Sequence, residues 1–239
     1  MALILSLETA TSVCSAAIHD DGKLIAFSEY HVSQSTASKL SVLIDQLFKL
    51  TKIEPSQLNA VAISAGPGSY TGLRIGVATA KGFCYALNIP LIAINTLELM
   101  AYSISPSVIS PSPLERGPGG EARTLLCPML DARRMEVYTL LASADLKVLQ
   151  STEAKVIDES SYQSWLDENR ILFFGNGSDK CKEIIQHENA IFISGIIPTA
   201  AKLGEMAFQK FKLNQFEDLS AYEPYYLKDF MIKKPKSTA

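Results

Sequence analysis

The chain has 239 residues, of which 47% are hydrophobic and 20% charged, and this balance predicts a folded protein with its own core. Its net charge of −3 contains no basic excess, which argues against a protein that holds nucleic acid by its own surface. The four cysteines form no CxxC pair, which argues against a zinc site or a disulfide framework and favours buried thiols in a reducing compartment.

The first residues carry no basic n-region, and no apolar run approaches the roughly 20 residues that cross a bilayer. We therefore expect a cytoplasmic protein.

The first hundred residues predict five strands and two helices. Residues Asp20-Asp21-Gly22 predict a tight hairpin turn, Ser33 and Ser35 are capping candidates for the first helix, and Asn88 is a stop for the second. Three antiparallel strands followed by helix, strand, helix and strand form a ribonuclease-H-like unit with a mixed sheet. The predicted strands are Leu3–Leu7, Val13–Ile18, Lys23–Tyr30, Ala60–Ser64 and Leu91–Ile94, and the helices are Thr36–Leu50 and Thr71–Leu87.

The second half begins with a segment rich in Ser, Pro and Gly, Ser105–Gly120, which we expect to be an exposed and mobile insertion. The chain is thus expected to divide into a lobe over 1–103, an insertion over 104–121 and a smaller lobe over 122–239, whose late helix is a candidate to return to the first lobe. The predicted elements of this second lobe are a hairpin of Thr124–Leu130 and Met135–Ala142, a strand Ile171–Phe174 ending in Gly175-Asn176-Gly177, and a helix Thr199–Phe211.

The most informative stretch runs from Ser64 to Gly82 (SAGPGSYTGLRIGVATAKG). It leaves a buried strand, turns through Gly-Pro-Gly and enters a helix with Ser69 or Thr71 near the N-cap. Glycines that admit close backbone approach, followed by a helix N-terminus, suit an anion. A tight strand-to-helix turn without a ligand explains the same residues.

The helix in this stretch has Gly72, Gly76, Ala80 and Cys84 at every fourth position, which leaves one face nearly without side chains. Glycine inside a helix costs roughly 1 kcal/mol relative to alanine, so we expect a packing purpose for this face. Its neighbour is either the protein's own sheet or first helix, or a partner chain.

The string GPGSYTGLRIGVATAKG resembles the signature of the TsaB (YeaZ) family, and its skeleton is similar to that of the related catalytic protein TsaD. Three further segments agree in order and spacing: LSLETATSVCSAAI near the N-terminus, DARRMEVY at Asp131–Tyr138, and PYYLKD at Pro224–Asp229. The resemblance covers nearly the whole chain apart from Ser105–Gly120.

The resemblance implies an α/β actin-like ATPase superfamily fold, with two ribonuclease-H-like lobes and mixed sheets. In this family TsaD, which holds a metal with an HxxxH pair, transfers threonylcarbamoyl to the tRNA adenosine adjacent to the anticodon. The implied role here is a non-catalytic scaffold that binds TsaD and the ATPase TsaE, forms a homodimer in isolation, and meets tRNA only indirectly through the complex.

The residues agree with a scaffold that has no catalytic, metal or cofactor site. His19, His31 and His187 show no HxxxH or HxH spacing, and each is expected to be a surface or turn residue. The loop at Glu8-Thr9-Ala10-Thr11 keeps an acid but has no glycine for close approach to a phosphate. An active actin-like ATPase or kinase and a glycoprotease-like metallopeptidase remain the alternatives.

By the resemblance, the TsaD contact uses the two helices of the first lobe, whose facing residues would form a four-helix interface. Two other patterns have simpler explanations. The charged hairpin of Asp131, Arg133, Arg134 and Glu136 is typical of a solvated turn, and the aromatic tail resembles a latch onto the protein's own surface. The partner-binding residues predicted are Leu40, Leu43, Ile44, Leu47, Leu73, Gly76, Val77 and Ala80, and the tail aromatics are Tyr222, Tyr225, Tyr226 and Phe230.

Overall fold

The computed structural model of the chain describes residues 1–31, 36–104 and 123–228, with the side chains of 36–38 outside that description. The predicted capping residues Ser33 and Ser35, the insertion Ser105–Gly120 and the tail aromatic Phe230 therefore lie outside the described residues.

The first lobe contains a five-stranded sheet in the order β3-β2-β1-β4-β5. The first three strands are antiparallel, and β4 and β5 run parallel to β1. The strands are β1 (Leu3–Glu8), β2 (Cys14–Asp20), β3 (Lys23–Tyr30), β4 (Ala60–Gly66) and β5 (Leu91–Asn95), and the helices are α1 (Thr36–Thr51), α2 (Tyr70–Leu87) and α3 (Thr96–Tyr102).

The second lobe contains another five-stranded sheet, in the order β10-β9-β6-β7-β8. Here too the first three strands along the chain are antiparallel and the last two are parallel to the first. Its strands are β6 (Arg123–Asp131), β7 (Glu136–Ser143), β8 (Val148–Val156), β9 (Asn169–Phe174) and β10 (Ala190–Ile193). The helices in this half of the chain are α4 (Gln163–Leu166) and α5 (Ala200–Lys212).

The two sheets share one strand order and one set of directions, so each lobe is a ribonuclease-H-like unit. Together they form the actin-like ATPase superfamily fold, and the predicted α/β fold class is confirmed. The lobes differ in their helices. Between the third, fourth and fifth strands, the first lobe has helices of 16 and 18 residues, whereas the second has the 4-residue α4 and a 3-residue turn, Asp179–Cys181.

Local signals explain where the helices begin and end. The Ser69 hydroxyl accepts a hydrogen bond from the Gly72 N–H and caps α2, and Asn88 ends that helix with a left-handed φ of 54°. The hairpin turn at Asp21 and Gly22 also has positive φ at both residues, as predicted. The elements that the sequence did not predict are α3, α4, β8 and β10, which are short, or, in β8, polar on an edge.

The first sheet is covered on both faces. Leu3, Leu5 and Leu7 of β1 pack in a core with α1 and α2, while Ile4 packs on the opposite face with α5. Because strand residues alternate between faces, one short strand supplies both cores. The late helix α5 thus packs against the first sheet.

Candidate functional site

The turn from β4 into α2 carries the anion-site pattern, and the chain itself fills it. The Ser69 N–H donates a hydrogen bond of 2.6 Å to the Ala10 carbonyl oxygen, and the Gly72 N–H donates to the Ser69 hydroxyl over 3.2 Å. These are the amides that a bound phosphate would need at a helix N-terminus. The loop between β1 and β2 therefore occupies the position of an anion at this turn.

The small-residue face of α2 packs against that same loop. A Cβ atom on Gly68 would lie 2.8 Å from the Ala10 Cβ, and one on Gly72 or Gly76 would overlap Thr9. Since real Cβ atoms do not approach so closely, glycine is required at these positions. The neighbour of these glycines is thus the chain's own β1–β2 loop, which was not among the neighbours that the sequence suggested.

The predicted partner-binding residues lie inside the first lobe. Their contact with a partner stays a prediction, since all eight positions are buried in the free chain and most of them pack in one core with the first sheet. The physical reason is that the sheet needs cover over its whole α1–α2 face. The buried residues are Leu40, Leu43, Ile44, Leu47, Leu73, Gly76, Val77 and Ala80.

A second set of residues on the same helices faces outward. On α2, Ala78 and Gly82 are exposed, and a Cβ atom on Gly82 would meet no atom within 4 Å. Tyr85 follows them on the same stripe and is 85% exposed, and Val42 of α1 is 45% exposed. We name the exposed positions Val42, Ala78, Gly82 and Tyr85 the outer face. Its small residues allow close approach of another helix.

Glu8 is buried at the end of β1, directly below the β1–β2 loop. Its carboxyl accepts hydrogen bonds from the Ala10 N–H, at 2.6 Å, and from the Ser64 hydroxyl. Burial raises the pKa of Glu8 to about 8, and the two neighbouring backbone amides, of Ala10 and Thr9, only partly oppose that rise. The carboxyl is thus mostly protonated at neutral pH, unlike a carboxylate held ready for a cation.

One cavity lies where loops of the two lobes meet. It has about 40 Å³ and lies beside the β1–β2 loop, between Thr11 of the first lobe and Leu130 and Asn176 of the second. Pockets for small-molecule ligands are roughly 300 Å³ or larger. This cavity is therefore too small for such a ligand.

The histidines and acids do not converge. His19 is buried on β2, where its Nε2 lies 2.9 Å from the Ala201 carbonyl oxygen, so its expected place on the surface or in a turn is wrong. His31 pairs with Glu29, and His187 is far along the chain near β10. Within residues 1–31, 36–104 and 123–228, no three His, Cys, Asp or Glu side chains group as metal ligands would.

The four cysteines are buried free thiols, as predicted. Burial raises the pKa of Cys14, and the nearby Glu8 carboxyl raises it further. High thiol pKa values make these cysteines poor nucleophiles.

The hairpin between β6 and β7 has the place in the second lobe that the β1–β2 loop has in the first. Arg133 and Arg134 form its tip, both exposed and both with positive φ, of 70° and 52°. The Lys180 ammonium donates to the carbonyl oxygens of Arg134 and Glu136, at 2.6 and 2.7 Å, and pairs with Asp131. One lysine side chain, that of Lys180, thus holds the backbone of this turn in place.

The segment after α5 crosses from the first lobe to the second. The Tyr225 N–H donates to the Ala65 carbonyl oxygen over 2.7 Å, the Tyr226 ring lies 5.0 Å from that of Tyr70, and Lys228 pairs with Glu136. We name residues 213–228 the strap. The tail aromatics Tyr222 and Tyr226 thus pack on the protein's own surface, as predicted.

Among the helices that the structure describes, none is both long and apolar enough to pass through a bilayer.

Comparison with known proteins agrees along nearly the whole chain. The sequence model of the family described as TsaD, tRNA N6-adenosine threonylcarbamoyltransferase, matches residues 30–232. The tRNA threonylcarbamoyladenosine biosynthesis proteins TsaB of Bacillus subtilis and Escherichia coli are 27% and 25% identical to it. These alignments cover 94% and 95% of this chain and 93% and 94% of the relatives. The solved structure of YeaZ from Pseudomonas aeruginosa, 21% identical, shares the fold with a TM-score of 0.75 and covers 95% of this chain and 100% of that one.

Proposed function

The chain belongs to the TsaD family and, within it, to the TsaB (YeaZ) proteins of tRNA threonylcarbamoyladenosine biosynthesis, and we propose that it acts there as a non-catalytic scaffold. In this proposal it binds TsaD, the subunit that transfers threonylcarbamoyl, and through that complex meets TsaE and tRNA. The observation that carries the proposal is the β1–β2 loop lying over the start of α2, where its Ala10 carbonyl takes the amide that an anion would need.

The surroundings of the β1–β2 loop support the same role. Burial raises the pKa of Glu8 to about 8, its carboxyl hydrogen-bonds within the chain, and the cavity beside the loop has about 40 Å³. A nucleotide would have to displace the loop from Gly68, Gly72 and Gly76, and so break the packing of α2. The ATPase or kinase alternative would need this rearrangement.

The purified chain is expected to hydrolyse ATP no faster than the buffer alone, because the Ser69 and Gly72 amides already have partners within the chain. Phosphate release is measured with the chain alone, with TsaE as a positive control and with a Gly68→Ala variant, which disturbs the loop contact. Turnover that copurifies with the wild-type chain through two chromatographic steps would contradict the scaffold role.

The partner surface that we propose is the outer face of α1 and α2, in place of the buried residues predicted from sequence. Its small residues allow close helix packing, and Tyr85 supplies a large exposed ring of the kind that anchors protein interfaces. TsaD is the proposed occupant, and a second copy of this chain would cover the same face in isolation, giving the expected homodimer.

Tyr85→Asp is expected to weaken TsaD binding at least about 100-fold while leaving the unfolding free energy of the monomer within about 0.5 kcal/mol, because the side chain is exposed in the monomer. The measurement is calorimetric titration with TsaD, beside a denaturant titration of the free chain. Leu213→Asp is the matched control, since Leu213 is 66% exposed and follows α5 on the other side of the sheet. Equal losses in both variants would contradict the assignment of the outer face.

A further inference from the structure

The hairpin tip at Arg133 and Arg134 has a backbone that arginine does not favour. Both residues have positive φ, and the Glu136 N–H donates a hydrogen bond of 3.2 Å to the Arg133 carbonyl oxygen across the turn. Each non-glycine residue in this conformation costs roughly 1–2 kcal/mol. Both side chains are exposed, so they are available to contact another molecule.

The charges around the tip leave these arginines available. The acids closest to the turn are neutralised within the chain, because Asp131 pairs with Lys180 and Glu136 pairs with Lys228. In the described part of the chain, neither Arg133 nor Arg134 forms an ion pair. The tip therefore presents two positive charges at the edge where the lobes meet.

An aromatic surface lies on the strap, whose Lys228 reaches the hairpin at Glu136. Tyr225 and Tyr226 are 42% and 36% exposed, and their backbone is fixed by the hydrogen bond to Ala65. Tyr226 packs on Tyr70, and the Arg74 guanidinium lies 4.8 Å from the centre of the Tyr70 ring. Exposed rings next to an arginine are what an unstacked base requires.

The strap joins the aromatic surface to the arginine tip. Lys228, two residues after Tyr226, pairs with the Glu136 carboxylate. The backbone carbonyls of Glu136 and Arg134 both accept hydrogen bonds from the Lys180 ammonium. Two residues of chain span at most about 7 Å. Rings and free cations thus lie within the length of a few nucleotides.

We propose that Arg133 and Arg134, with Arg74 and the rings of Tyr225 and Tyr226, form a contact surface for RNA. The arginines bind phosphates and the rings stack on an unpaired base. The inference rests on the proposed function, since the tRNA pathway supplies the RNA, and it goes beyond that function by giving this chain its own contact with the nucleic acid. With a net charge of −3, the whole chain adds no general attraction, so binding depends on this local group.

The test uses the full chain alone and a short fluorescein-labelled RNA stem-loop, followed by fluorescence anisotropy at several salt concentrations. At about 50 mM salt we expect a dissociation constant of roughly 10–100 µM, the range of binding through phosphates. Arg133→Ala combined with Arg134→Ala should weaken binding at least tenfold. It should also reduce the slope of the logarithm of affinity against the logarithm of salt concentration by the equivalent of about two phosphate contacts. Glu223→Gln, which removes an exposed acid close to Tyr226, should strengthen it.

The matched control is Lys23→Ala combined with Lys147→Ala, which removes two exposed positive charges from hairpin turns at the opposite edges of the sheets. The inference is overturned if this control weakens RNA binding as much as the arginine variant, or if the wild-type chain does not bind at about 50 mM salt. TsaD binding is measured in parallel. An arginine variant that no longer binds TsaD but keeps its RNA affinity would assign the turn to a protein interface, and this result also overturns the inference. Failure of the scaffold proposal is a different result, in which the wild-type chain does not bind TsaD.

Discussion

Gly76→Arg is expected to unfold the first lobe, whereas Gly82→Arg, six residues along the same helix, is expected to fold. At Gly76 the new side chain would run into Thr9 and place an unpaired charge in the core. The combined cost exceeds about 4 kcal/mol. At Gly82 no atom lies within 4 Å, and replacing a helical glycine adds roughly 0.5–1 kcal/mol of stability.

The two variants separate folding from association. Circular dichroism and denaturant titration report the folding of each, and calorimetry with TsaD reports binding. We expect Gly82→Arg to lose TsaD, because a long charged side chain would stand on the outer face. A Gly76→Arg chain with native unfolding would show that α2 does not pack on the β1–β2 loop. A Gly82→Arg chain that binds TsaD normally would move the interface off α2.

Raising the pH from 6.5 to 8 is expected to lower the unfolding free energy by about 2 kcal/mol through Glu8 alone. Burial raises the pKa of Glu8 to about 8, so the folded chain keeps a proton that the unfolded chain has released, and stability falls through this window. Below pH 6.5 a second group acts in the opposite direction. Burial lowers the pKa of His19, so the unfolded chain binds a proton that the folded one excludes.

Glu8→Gln keeps the size of the side chain and removes its titration. The unfolding free energy of the wild type should fall by about 2 kcal/mol from pH 6.5 to 8 relative to that of Glu8→Gln, measured by urea unfolding. Glu159→Gln, at an exposed acid of the second lobe, should follow the wild type at both pH values. Parallel curves for wild type and Glu8→Gln would show that the Glu8 carboxyl is already ionised at pH 6.5.

The fold could be predicted from sequence because its strongest signals are local. Strand-length apolar runs, the helical period of α1 and the turn at Asp21 and Gly22 each determine one element. The second lobe has weaker local signals, since β8 is an edge strand whose residues are all at least partly exposed and α4 has a single turn. Such elements form because the neighbouring strands offer hydrogen bonds, which the segment's own pattern does not reveal.

The orientation of α2 in the candidate site could not be predicted from the sequence. Helix α2 has two sets of small residues, one at Gly72 and Gly76 and one at Ala78 and Gly82, and periodicity alone does not say which set faces inward. The answer depends on Thr9, about sixty positions away in the chain. The exposed Tyr85, at the end of the second set, was the signal that could have indicated the outer one.

The unequal helices of the two lobes limit what this chain can build. Where the first lobe has helices of 16 and 18 residues, the second has segments of 4 and 3, although the strand order is the same. A chain with a two-helix face on each lobe could join neighbours at both ends and grow into a filament. A chain with one such face pairs once and stops, so assemblies made through it are closed and of fixed size.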